Sequence, residues 1–331
     1  MSAQTHGVIL GRFMPPHNGH RYLIDFGRHV ADQLTVFLCS LPHDPIPGEL
    51  RLRWMGELFP SVRLVHITEE NPRANKLQPG AHRIWAQAIA RNMPDGVDYV
   101  FASEQYGLDL SAELGARFVP VDPSRSLFPV SGSAVRAAPM TYWDYLPEPV
   151  RPYFVRRVCI IGNDVRGRVA LGRGLAEHFK TIFAGDYAAY WQDHVNREPT
   201  AADLPLLLRA QAASEGALAR QAQRLLFVTT DPTQLALQWS VRHGEAADRL
   251  AAERERGYDL YLALSYEESA TGPGVPATGR GESGRNDLLE RYLEMLPPTE
   301  RVVHVPVPDD DEGRIGYALE RACAAVEELL T

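Results

Sequence analysis

The chain has 331 residues, 45% of them hydrophobic and 23% charged, with 34 Lys and Arg against 42 Asp and Glu for a formal net charge of −8. That is the composition of an ordinary globular protein long enough for two domains, and the acidic balance argues against a broad nucleic-acid surface. No stretch approaches the roughly eighteen apolar residues of a membrane span, and Met1 to His6 is too short and polar for a signal peptide. The expectation is a cytoplasmic protein with neither membrane nor nucleic-acid partners. Cys39, Cys159 and Cys323 are scattered through apolar contexts and read as buried fillers.

In chain order, Gly7 to Leu10 reads as a buried strand, and Tyr22, Leu23, Ile24 and Phe26 as one face of a helix. Between them lies Gly11-Arg12-Phe13-Met14-Pro15-Pro16-His17-Asn18-Gly19-His20, which puts two histidines at or just inside a helix N-terminus. Free backbone N–H groups and the positive end of the helix dipole favour phosphate there, and two imidazoles add hydrogen bonds and positive charge where charge develops on a transferring phosphoryl group. The plainer alternative is that the histidines only cap the helix. Further strands are expected at Leu34 to Leu41, Arg63 to Ile67, Tyr99 to Ala102 and Arg117 to Val121, and helices at Gly48 to Leu58, Gly80 to Asn92 and Leu108 to Leu114. This alternation implies a parallel sheet wound on both faces, with ligands bound past the carboxyl ends of the strands. After Pro129, Val130-Ser131-Gly132-Ser133-Ala134-Val135-Arg136 reads as a short helix with Ser133 as N-cap and an arginine in its first turn, suited to outer phosphates.

A new unit starts near Arg156. Arg157 to Ile161 is a buried-strand run, followed by Gly162-Asn163-Asp164-Val165-Arg166-Gly167-Arg168-Val169 and a helix expected from Ala170 to Phe179. The length and glycine spacing match a P-loop, Gly-x4-Gly-Lys-[Ser/Thr], but Arg168 stands at the lysine and Val169, which has no ligand atom, at the hydroxyl. Strands are expected at Arg224 to Thr230, where Asp231 follows like a Walker B acid, and at Tyr258 to Leu264 and Val302 to Val307. Tyr266 to Arg285 is glycine-rich and reads as a loop, and Gly313 to Leu330 as a helix. Asp309-Asp310-Asp311-Glu312 could suggest metal, but acids before a helix complement its dipole, so no protein-built metal site is assigned.

Gly-x-Phe-x-Pro-x-His-x-Gly-His resembles the signature of the nucleotidylyltransferase superfamily, and the segment Val130 to Arg136 its second motif, Ile-Ser-x-Thr-x-x-Arg. Together with His43 to Arg51, Ala102 to Gly107, Val121 to Pro129 and the joining stretch Tyr142 to Val155, they resemble the bifunctional NMN adenylyltransferase and ribosylnicotinamide kinase family, the NadR-like proteins. The resemblance implies two doubly wound parallel-sheet α/β domains, residues 1–155 and 156–331. The first would be a Rossmann-like nucleotidylyltransferase and the second a P-loop kinase-like domain. Only six residues precede the first strand, so the helix-turn-helix regulator of some members, and with it a DNA-binding role, is not expected.

The implied reaction is attack of the NMN 5′-phosphate on the α-phosphorus of ATP with Mg²⁺, giving NAD and pyrophosphate. By the same resemblance His17 and His20 serve the triphosphate and Arg136 the leaving pyrophosphate. Gly11, Arg12, Phe13, Gly19, Ser131 and Ser133 line ATP, and Trp85, Glu104 and Tyr106 are candidates for NMN. Trp85 would stack on the cationic nicotinamide ring, or be a core tryptophan. In the second domain Gly162, Gly167, Arg168, Val169 and Asp231 form a degenerate P-loop site. The family's arginine near Asp186 corresponds to Ala189, and its acidic lid pair is missing although Arg280 and Arg285 remain. An inert kinase-like domain is therefore expected. Alternatives are a bifunctional enzyme that also phosphorylates nicotinamide riboside, a non-catalytic NAD or ATP sensor, and an adenylyltransferase for another acceptor such as pantetheine phosphate. A homo-oligomer is left open.

Overall fold

The computed structural model describes residues 4–68, 81–243, 257–266, 283–307 and 314–330. The chain forms two compact units, Met1–Val150 and Arg151–Thr331.

The first unit runs β1 (His6–Gly11), α1 (Asn18–Val30), β2 (Gln33–Cys39), α2 (Gly48–Leu58), β3 (Arg63–Ile67), α3 (Ala81–Asn92), β4 (Tyr99–Ala102), α4 (Tyr106–Leu114), β5 (Arg117–Pro120) and α5 (Gly132–Ala137), then short 3₁₀ turns at Trp143–Tyr145 and Glu148–Val150. Its strands form one parallel sheet in the order β3-β2-β1-β4-β5. Alternate strand residues feed opposite faces, as the period of two requires. Ile9, Val36, Leu38 and Phe101 pack with Leu23 and Ile24 of α1 and Met55 of α2. Val8, Leu10, Phe37 and Val100 pack on the other face with Ala86 and Ile89 of α3 and Leu110 of α4. The chain leaves β1 toward β2 on one side and resumes at β4 on the other, so the order reverses between β1 and β4. Loops from both strands diverge there and leave a crevice.

The second unit runs α6 (Arg151–Phe154), β6 (Arg156–Ile161), α7 (Val165–His178), β7 (Ile182–Ala184), α8 (Tyr187–Val195), α9 (Leu204–Ala219), β8 (Leu225–Val228), α10 (Pro232–His243), β9 (Leu260–Tyr266), α11 (Ser283–Met295), β10 (Val302–Val307) and α12 (Arg314–Glu327). Its parallel sheet has the order β10-β9-β6-β8-β7. Val158, Ile160, Phe227 and Leu262 pack against Leu171 and Leu175 of α7 and Ala322 and Val326 of α12.

Both units are the expected doubly wound α/β sheets. Of the elements assigned from sequence, the one most displaced is α7, which starts at Val165 rather than Ala170, because the Asp164 carboxylate accepts from Arg166 N at 3.0 Å and caps the helix there. The segment between α7 and β8 adds β7, α8 and α9, which the strand-and-loop reading of the sequence did not assign. The three cysteines are free and buried, as expected. Among the described residues no helix is long and apolar enough to cross a membrane. Gly80, most of the glycine-rich loop with Arg280, and Asp309 to Glu312 lie outside the described residues.

Candidate functional site

The histidine motif lies where β1 gives way to α1. His17 is the N-cap residue, in extended backbone, and His20 stands three positions into the helix. The His17 backbone N–H donates to His20 Nδ1 at 3.3 Å. With Nδ1 accepting, the neutral His20 ring carries its proton on Nε2 and can donate it. The two imidazoles stack at 3.7 Å between centroids, and the Phe13 edge meets His20 at 4.9 Å. Gly19 makes this possible: a Cβ there would come within 3.1 Å of His17 Nδ1. His17 is buried, and its side chain and that of His20 face each other's backbone N–H groups in a reciprocal capping box, so the histidines do cap the helix as the plainer alternative expects. Burial, helped by the Arg125 charge, pushes the His17 pKa down to about 4. The ring is therefore a neutral hydrogen-bonding group at pH 7 rather than the positive charge that the sequence suggests.

The backbone of the motif is held from below by a side chain without a role in the sequence reading. Arg51 of α2 is fully buried and donates to the carbonyls of Arg12, Cys39 (3.2 Å) and Ile46 (3.0 Å). It also pairs with Asp44 at 2.6 Å, and Arg12 pairs with the same carboxylate. Phe13, at φ 46°, sits in the left-handed region with its ring over Gly11, where a Cβ would come within 2.9 Å of it. That backbone is uncommon for a bulky residue and is fixed here by its surroundings.

The second motif closes the other wall. Ser131, not Ser133, is the N-cap of α5, accepting from Ala134 N at 3.1 Å, because Ser131 has the extended backbone that a cap needs; Ser133 is already inside the helix and its hydroxyl lies 3.0 Å from that of Ser131. Arg136 donates to the Met14 carbonyl, which ties the two motifs together. At Gly132 a Cβ would meet that same carbonyl oxygen at 2.5 Å, so only glycine fits.

These walls enclose a cleft of about 300 Å³ at the carboxyl ends of β1 and β4. Gly11, Arg12, Phe13, His17, Gly19, His20, Ser131, Ser133 and Arg136 all line it, and so do Glu104 and Tyr106. Arg125 joins them, held to Glu104 at 3.0 Å. Its loop is folded around Asp122, whose carboxylate accepts from the N–H groups of Ser126, Leu127 and Phe128. Desolvation works against the charge, but these bonds win and hold the carboxyl below its ordinary range.

Trp85 is not in this cleft. It lines an adjoining pocket of about 60 Å³ with Leu10, Ser40, Leu41, Asp109 and Leu110, to which Gly11, Arg12 and Tyr106 also contribute. It is half-buried and packs against the α3–α4 core cluster, as the core reading expects, while part of it stays on the pocket wall. Tyr106, between the two cavities, donates to the Leu10 carbonyl, and burial followed by the nearby Glu104 and Cys39 raises its phenol pKa. Glu104 opens on the larger cleft only.

In the second unit Arg168 does not reach out of the loop. It lies inside α7, 1% exposed, with Nη1 donating to the Thr229 carbonyl and to Thr230 Oγ1 at 3.1 Å. Burial lowers its pKa against the pull of Asp186, Cys159 and Asp164. Thr230 Oγ1 donates to Asp186 at 2.9 Å, and Asp231 Oδ1 caps α10 by accepting from Gln234 N at 2.6 Å. Gln234 Nε2 donates to the carbonyl of Gly162, which favours glycine because its φ is 144° and an added Cβ would stand 3.0 Å from the Leu264 carbonyl oxygen. Gly167 is buried and Val169 half-buried in α7. Among the described residues no three His, Cys, Asp or Glu side chains are grouped to hold a metal ion. The cleft carboxylates Glu104 and Asp122 are engaged by Arg125 and by backbone, so the protein donors do not fit a resident Mg²⁺.

No family model matches the chain. The trifunctional NAD biosynthesis/regulator protein NadR of Escherichia coli is 28% identical over 330 residues, 93% of this chain and 80% of that one. The Salmonella typhimurium protein of the same name is 28% identical over 328 residues, 92% of this chain and 80% of that one. Among solved structures, a NadR protein in complex with NR has a TM-score of 0.75 at 20% identity, covering 100% of this chain and 97% of that one. A NadR protein in complex with NAD and AMP-PNP has a TM-score of 0.73 at 18% identity, covering 97% and 96%. The resemblance to the NadR-like family thus extends along both units, with the α/β fold of each shared by those structures.

Proposed function

We propose that this NadR-like chain is a cytoplasmic nucleotidyltransferase of NAD biosynthesis that joins NMN to the adenylyl group of ATP. The observation that carries this reading is the convergence of His17, His20 and Arg136 on one cleft at the β1–β4 reversal, with Arg136 bonded to the Met14 carbonyl. The triphosphate lies along the α1 N-terminus, where free N–H groups and His20 Nε2–H meet its oxygens. Arg136 takes the charge that accumulates on the leaving pyrophosphate. His17, neutral in the free protein, donates or accepts without the repulsion that a second buried cation would bring. The NMN 5′-phosphate attacks the α-phosphorus from the side of the Trp85 pocket, whose indole face suits a cationic pyridinium ring. No protein nucleophile is needed: rate comes from position and preorganised donors. Mg²⁺ entering with the nucleotide would offset phosphate charge there without a protein ligand set.

The second unit is a nucleotide-kinase fold without the chemistry. Asp164 occupies the anion position at the α7 N-terminus, Arg168 is turned into the interior and Val169 offers no ligand. A bifunctional reading, with riboside phosphorylation in this unit, draws on the relatives' description as trifunctional and on the structure in complex with NR. Asp231 and Gly162 would then be its surviving elements.

His20→Ala tests the assignment of the first unit. Turnover of NMN and ATP to NAD is expected to fall at least about a hundredfold, in line with the loss of one preorganised donor, with the melting temperature little changed. Near-normal turnover overturns the assignment.

A further inference from the structure

Three side chains from three elements form a polar chain beside the Trp85 pocket that adenylyl transfer does not itself use. Ser40 follows β2, Glu49 opens α2 and His66 lies in β3. Ser40 Oγ is 2.7 Å from His66 Nε2, and His66 Nδ1 is 3.2 Å from Glu49 Oε1. Ser40 is fixed in place, its backbone N–H donating to the Ile67 carbonyl at 3.0 Å. Gly48 lets α2 close over the contact: a Cβ there would stand 2.4 Å from Ser40 Oγ and 2.8 Å from His66 Nε2. Ser40 is also part of the pocket wall.

The direction of the bonds follows from what each group can do. A carboxylate only accepts, so His66 Nδ1 carries the proton, and in the neutral ring Nε2 must accept. Ser40 therefore spends its O–H on His66 and shows the pocket lone pairs alone. Asp109 lines the same pocket and adds another acceptor.

We propose that Ser40, oriented by His66 and Glu49, is the specificity-determining acceptor of this pocket. It takes an N–H from a donor-bearing ring substituent such as a carboxamide and rejects a carboxylate at the same place, which brings only lone pairs and negative charge. This rests on the pocket being the seat of the mononucleotide's pyridine ring. Ser40 touches the ligand; His66 and Glu49 are positioning residues that commit its proton.

The test is calorimetric titration of the full chain at about pH 8 with NMN and with nicotinate mononucleotide. The wild type is expected to bind the amide at least about tenfold tighter. Ser40→Ala reduces that ratio about fivefold or more through weaker amide binding. His66→Phe reduces it in a different way: the Ser40 proton is released to the pocket, and the acid gains affinity. A merely structural role would weaken both ligands alike. A ratio unchanged in both variants, or a wild type that binds the acid as tightly as the amide, overturns the proposal while leaving the mononucleotide site standing. Binding of neither mononucleotide overturns both.

Discussion

Replacing His17 by Gln isolates the strongest electrostatic statement about the site. The ring is 6% exposed, and burial holds its pKa at about 4 against 6.5 in an ordinary environment. The folded-state value is the lower one, so the fold keeps the ring neutral at pH values where the unfolded chain would protonate it. Its contribution is complete above pH 6.5 and is lost as pH falls toward 4. At about 1.36 kcal/mol per pKa unit the full loss is about 3 kcal/mol, and about 2 kcal/mol of it has appeared by pH 5. The assay is urea unfolding of the wild type and His17→Gln at pH 7.5 and pH 5, followed by a probe in the first unit. Every other group is common to the two proteins, so the wild type is expected to lose about 2 kcal/mol more than the variant between the two pH values. Equal losses would refute the assignment of a buried, neutral His17.

Arg51→Met removes the donor to three backbone carbonyls and the buried partner of Asp44. A loss of about 3–5 kcal/mol is expected by denaturant unfolding, as for other broken buried pairs. Gly132→Ala drives a Cβ onto the Met14 carbonyl, which a helix start and a fixed loop cannot both accommodate. The expected result is weaker ATP binding by calorimetry with secondary structure intact by circular dichroism. In the second unit Asp164→Gly combined with Arg168→Lys and Val169→Thr frees the helix N-terminus and restores a lysine and a hydroxyl. ATP binding to that unit is expected to appear or strengthen at least about tenfold, measured by calorimetry of a protein that also carries His20→Ala.

The residues that line the cleft of the first unit were legible because their motifs are local. Strand and helix periods gave Arg63–Ile67, Tyr99–Ala102 and Gly48–Leu58 to the residue, and the two motifs announced themselves by spacing. What supports those motifs was not legible, because it is distant in sequence. Arg51 meets the Arg12 carbonyl and Arg125 acts on His17 only after the sheet has brought the loops together. Ser131 and Ser133 are equally good caps as residue types, and backbone conformation decides between them. In the second unit the glycine spacing suggested an open loop. Asp164 instead starts the helix early, and Arg168 is drawn inward by the Thr229 carbonyl. α8 carries Tyr190 and Val195 toward solvent, so its sequence lacks the clean apolar stripe that marks α1.

The most direct measurement is chromatography of the products formed by the purified chain with ATP and Mg²⁺, fed NMN in one reaction and nicotinamide riboside in another. NAD and pyrophosphate from NMN, with the riboside untouched, is the result expected of an active first unit and a second unit closed by Asp164 and Arg168. No NAD from NMN would contradict the account at its centre, and consumption of the riboside would show that an arginine inside α7 can serve where a P-loop lysine and hydroxyl are missing.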